Sequence, residues 1–142
     1  MISKGRIVTI FRKNGGSTFT VDELSRLDKD FLEGKLKGDE PLVADIESGG
    51  NWFALTASEL VSSVENDVRT IRLSEITGIV PRTMDQFAGN KRSGGKLELK
   101  LRDGSVFPLR LEGGKLFMAM LNAAMYIVKM NLRQRYVGIV KD

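Results

Sequence analysis

A chain of 142 residues and 15.8 kDa, 42% hydrophobic and 28% charged, has the size and composition of one globular domain that buries about two-thirds of its unfolded surface. It contains no cysteine and no histidine, which excludes disulfides, thiolate nucleophiles, thiolate-ligated metals and imidazole-based triads or zinc sites. The net charge of +4 is unevenly spread: residues 1–40 carry +1, residues 41–80 carry −4 and residues 81–142 carry +7.

Met1-Ile2-Ser3-Lys4 leads into a short apolar run that soon meets Arg12 and Lys13, without the features of a signal peptide, so a cytoplasmic location is expected. Arg6 to Phe11 and Thr18 to Val21 are β-branched and apolar, and Asn14-Gly15 between them predicts an N-terminal β-hairpin with Ile10 opposite Phe19 and Val8 opposite Val21. Thr20 and Glu23 have capping-box spacing, and Leu24, Leu27 and Phe31 follow at helical intervals, which predicts a helix from about Asp22 to Leu36. Lys37-Gly38-Asp39-Glu40-Pro41 ends it.

From Leu42 the period changes to two. Strands are predicted at Leu42 to Ile46, Trp52 to Ala57, Leu60 to Val64, Val68 to Leu73 and Thr77 to Arg82, separated by turn-forming residues. Thr83 to Gly95 has little periodicity and reads as a long loop. Leu97, Leu99 and Leu101 then share one face, as do Phe107, Leu109 and Leu111. A three-residue loop, Arg102-Asp103-Gly104 with Gly104 at positive φ, sets Leu99 opposite Phe107 and Leu97 opposite Leu109. Pro108 lacks a ladder donor and marks its strand as an edge or its position as an outward gap.

After Gly113-Gly114 a helix is predicted from Lys115 to about Arg133. Phe117, Leu121, Ala124, Met125, Val128 and Leu132 form one stripe, widened by Leu116, Met120, Ala123 and Ile127, so the helix is extensively buried. Leu116 to Val128, the longest nearly apolar stretch, is broken by Asn122 and falls short of the roughly 20 residues of a membrane span. Tyr136 to Val140 has the composition of a final short strand.

Seven short strands followed by one long apolar helix is the order of the pleckstrin-homology-like superfold. Gly38-Asp39-Glu40, Asn51-Trp52-Phe53-Ala54-Leu55-Thr56, Arg72-Leu73-Ser74-Glu75-Ile76-Thr77-Gly78-Ile79 and the hairpin from Leu97 to Leu111 resemble the bacterial pleckstrin-homology-like domains over about Gly38 to Leu132. The chain departs from them at Thr56-Ala57-Ser58-Glu59-Leu60, where such domains often carry an arginine shortly after the threonine. The resemblance implies an α+β, mostly β fold: a seven-stranded barrel of near-orthogonal sheets capped by the C-terminal helix, here with the N-terminal hairpin and helix added. Within one structural domain, residues 1–37 form the N-terminal addition, 38–132 the barrel with its helix, and 133–142 a tail.

It also implies a binding or assembly module rather than a catalyst, without a cofactor, acting through a protein partner or through self-association. Eukaryotic relatives bind phosphoinositides through basic loops after strands one, three and six. The corresponding loops here are Ser48-Gly49-Gly50-Asn51, Glu65-Asn66-Asp67 and Arg102-Asp103-Gly104, which lack the convergent Arg and Lys donors that phosphate requires, so the lipid function is not carried over.

Gly89 to Leu97 fails as a phosphate loop, because Gly95 separates Gly94 from Lys96, Leu97 stands where Ser or Thr is needed, and a strand follows instead of a helix. Arg82, Lys91, Arg92 and Lys96 around Phe87 form a candidate basic patch for nucleic acid, an anionic membrane surface or an acidic partner, against the plain reading of a solvated loop. Four of the six methionines lie on the last helix, at Met118, Met120, Met125 and Met130. Core filling explains most of them, while Met118, Asn122 and Tyr126 are candidates for an interface. Asp45, Glu47, Glu65 and Asp67 match no calcium loop, and no catalytic group or metal site is assigned.

Overall fold

The computed structural model describes residues 2–36, 40–46, 51–64, 66–83, 95–111 and 114–141, without the side chains of 82, 83 and 134–141. Among the described residues the fold is α+β, with two antiparallel sheets, seven strands in all, and a C-terminal helix. The chain divides into two compact units, Ser3–Leu73 and the remainder, Met1–Ile2 with Ser74–Asp142.

The first unit opens with a helix, α1 (Lys4–Lys13), where the sequence predicts a β-hairpin. The apolar run satisfies both periods, since Ile7 and Phe11 are four apart and both are buried. The helix ends decide between them. Ser3 caps the start by accepting from the Arg6 amide at 3.3 Å, and Arg12 and Lys13 complement the dipole at the end. Asn14-Gly15, read as a hairpin turn, is instead a helix stop: Gly15 takes φ 80° and the Gly16 amide donates to the Phe11 carbonyl at 2.7 Å.

Thr18 to Val21, expected to be the partner strand, runs through two short 3-10 turns, Ser17–Phe19 and Val21–Glu23, and between them Thr20 makes an isolated bridge to Val43. The capping box at Thr20 does not form. Leu24 is extended, and Ser25 caps the second helix, α2 (Arg26–Lys35), by accepting from the Asp28 amide at 3.1 Å.

Strands β1 (Val43–Ile46), β2 (Trp52–Leu55), β3 (Glu59–Val64) and β4 (Asp67–Arg72) form an antiparallel meander in chain order. Its register places Ala44, Ala54 and Val61 in one row and Ile46 with Trp52 beside them. Leu32 and Leu36 pack into this face, and Leu24 closes its margin. Burying a side chain such as Leu32 stabilises by about 1.5–3 kcal/mol. The buried face of α2 therefore runs through Leu32. Leu27, one of the apolar residues at helical spacing, is 81% exposed, and Phe31 meets the Trp52 ring edge-on at 5.7 Å.

The second unit contains β5 (Ile76–Thr83), β6 (Gly95–Leu101) and β7 (Val106–Leu111), again antiparallel in chain order. Leu99 stands opposite Phe107 and Leu97 opposite Leu109, and Gly104 has φ 89°, as the pattern of the hairpin predicts. Strand β7 is an edge of this sheet and Pro108 is exposed on it. Helix α3 (Gly114–Lys141) runs through the segment in which a final strand is expected, since only an isolated Gly138 interrupts the helical sequence after Arg133. It packs on β5, where the buried Asn131 amide reaches the Ile76 carbonyl at 2.8 Å.

Candidate functional site

Successive residues of a helix advance by 100°, so the burial of α3 can be read around its axis. Leu116, Phe117, Ala119, Met120, Ala123, Ala124, Ile127 and Asn131 are buried and occupy one side. Met118, Met125 and Leu132 are 47%, 53% and 53% exposed and occupy the other. They are seven residues apart, so they form a column drifting by only about 20° per heptad. Met125 and Leu132 are thus outside the core to which the sequence reading assigns them. Half-buried Leu121 and Val128 line one edge of the column, giving the alternating three- and four-residue spacing of a helix-pairing seam.

The other edge is polar. Lys115, Asn122 and Lys129, also seven apart, run parallel to the apolar column, with Lys115 and Lys129 exposed and exposed Arg133 one turn further on. The Asn122 side-chain amide donates to the Met118 carbonyl at 2.8 Å, which ties it to its own helix. Of the three candidates on α3, Met118 therefore belongs to the apolar column and Asn122 to the polar one, while Tyr126 is half-buried beyond the polar column. Among the candidates for the basic patch, Phe87, Lys91 and Arg92 lie outside the described residues.

Arg82 on β5 and Lys96 on β6 are direct register partners, and Lys96 in turn stands opposite Arg110 on β7. Strand spacing of about 4.8 Å places these three basic positions in one row across the sheet. Like charges directly opposite one another oppose sheet formation, an effect that a bound anion would relieve. Arg110 is absent from the candidates drawn from sequence, although the register Leu97 to Leu109 already sets Lys96 against it. Further along the same face, Glu98 lies between Lys96 and Lys100.

The β6–β7 turn is ordered by Asp103, whose carboxylate accepts from the Ser105 hydroxyl at 2.5 Å and from the Ser105 amide at 2.8 Å. These bonds, the hydroxyl's first, hold the Asp103 carboxyl below its ordinary range. The turn thus presents an ionised carboxylate beside Arg102, whose guanidinium donates to the Ser74 carbonyl at 3.2 Å. Among the described residues, no group of three or more acidic side chains is placed to hold a metal ion, and no helix is long and apolar enough to cross a membrane.

No family model and no curated protein matches the chain.

Proposed function

We propose that the protein is a non-enzymatic protein-interaction module of pleckstrin-homology-like type, acting in the cytoplasm through the outward face of α3. The observation that carries this reading is the column of Met118, Met125 and Leu132, three large apolar side chains about half exposed at seven-residue intervals. Apolar surface aligned in this way is stabilised when a partner covers it, and thioethers adapt to the shape of what they meet. Two consecutive antiparallel meanders, of four and three strands, followed by a helix support the pleckstrin-homology-like part of the reading. A barrel of near-orthogonal sheets is the corresponding proposal for the fold.

The test compares the intact protein with its Met125→Glu, Leu132→Glu variant as bait in a cell lysate. Both positions are exposed, so both proteins should melt at the same temperature. Proteins retained by the parent and lost from the variant are the expected outcome. Identical retention, or none by either bait, contradicts the reading.

A second reading, binding of an anionic ligand, is favoured by the row Arg82, Lys96 and Arg110. Phe87, Lys91 and Arg92 lie between Arg82 and Lys96 in sequence. Such binding to an oligonucleotide or an anionic liposome should weaken steeply with salt, because much of the gain comes from released counterions. A titration at low salt with no binding to either removes this reading.

A further inference from the structure

We infer that the outward face of α3 is a docking site for an acidic amphipathic helix of another protein. This rests on the reading of the chain as a protein-interaction module and names the chemistry of its partner.

The spacing identifies a helix as the occupant. Met118, Leu121, Met125, Val128 and Leu132 alternate by three and four residues, the rhythm at which one helix receives the side chains of another. From Met118 to Leu132 the seam is about 21 Å long, enough for four turns of a partner.

The charge identifies the partner as acidic. Lys115, Lys129 and Arg133 are exposed along the polar edge of the seam. Between Gly114 and Lys141 the helix has no aspartate or glutamate. Charges flanking an apolar seam select the partner and fix its direction, and this flank favours carboxylates over cations.

A second copy of α3 brings no carboxylate in either direction, so self-pairing leaves these cations without an opposite charge from the partner helix. A bilayer surface fits less well than a helix. Among the described side chains of α3, basic residues line one edge alone, the opposite edge at Leu121 and Val128 is half-buried, and the exposed apolar strip is a single side chain wide. Helices that insert into a membrane interface present a broad apolar face.

The test is fluorescence anisotropy of the full chain with a labelled peptide of about three heptads, leucine at its seam positions and glutamate on both flanks. A counterpart carries lysine on both flanks. The glutamate peptide should bind, more tightly at low salt, and the lysine peptide should not. Lys115→Glu with Lys129→Glu should weaken the glutamate peptide by about tenfold or more and admit the lysine peptide. These substitutions lie on an exposed edge, so the fold is retained and the exchange of preference is readable.

Equal binding of both peptides, or binding of neither, overturns the inference. So does preferential binding to phosphatidylcholine–phosphatidylserine vesicles, or a stable dimer by light scattering in place of peptide binding. If the peptides fail while Met125→Glu, Leu132→Glu still loses partners retained by the parent, the acidic helix is wrong and the interaction module stands. If the variant also loses nothing, both readings fall.

Discussion

The Asn131 side-chain amide donates to the Ile76 carbonyl at 2.8 Å, joining two residues separated by 55 positions and tying α3 to the first residue of β5. Asn131 is 4% exposed, so this polar contact lies within the packed side of the helix. Asn131→Leu keeps the branched shape and heavy-atom count while leaving a buried carbonyl without this donor. It should lower stability by about 1–3 kcal/mol in urea denaturation. An unchanged midpoint would show that the bond contributes nothing net.

Glycine at position 104 is required for its backbone rather than for space. A Cβ there would meet nothing within 4 Å, but φ is +89°. Gly104→Ala should therefore destabilise by more than about 1 kcal/mol. Gly78→Ala is the contrast, since its Cβ would make an ordinary 3.6 Å contact with Lys100. It should change stability by less than about 0.5 kcal/mol. Parallel denaturation curves for the two variants check the difference.

The strands and the register of the β6–β7 hairpin were legible because period-two alternation and Asp103-Gly104 leave one arrangement that keeps both leucine rows on a common face. Residues Arg6 to Phe11 were not, since Ile7, Ile10 and Phe11 satisfy the helical period as well as their neighbours satisfy the strand period. The deciding groups there are Ser3 and Gly15, which act at the ends of the segment and not within it. Tyr136 to Val140 has strand composition but follows an unbroken helix, and propagation of a formed helix outweighs a modest local preference.

In the candidate site, the seven-residue spacing of Met118, Met125 and Leu132 is present in the sequence. Apolar residues nearly all around α3 concealed which arc is covered. The sheet row was half legible: Lys96 and Arg110 follow from the hairpin register, whereas the pairing of Arg82 with Lys96 depends on where β5 meets β6.

The Asp103 carboxyl is held below its ordinary value by the Ser105 hydroxyl and amide. Stabilisation from a lowered carboxyl pKa is present above the unfolded-state value and is lost as pH falls through the lower folded value. Ser105→Ala removes the larger contribution and should raise the Asp103 pKa toward the ordinary value. An NMR titration of the Asp103 carboxyl carbon measures it, and an unchanged midpoint would contradict the assigned cause.

Lys96→Ala with Arg110→Ala should leave stability within about 0.5 kcal/mol of the parent, or raise it slightly, by removing like charges from neighbouring strands. If the anionic-ligand reading holds, the same variant should bind oligonucleotide more weakly and with a shallower salt dependence. Leu99→Ala, at a fully buried position, should instead cost about 2–5 kcal/mol through the cavity it leaves. Equal oligonucleotide affinity in the double variant and the parent would remove this row from the binding surface.

The outward face of α3 is tested most directly by NMR of the methionine methyl groups, because the helix carries buried Met120 between exposed Met118 and Met125. With the glutamate-flanked peptide added to the intact protein, the Met118 and Met125 methyl resonances should shift while Met120 stays in place. Shifts confined to Met120, or unmoved Met118 and Met125 at saturating peptide, would contradict docking on this face.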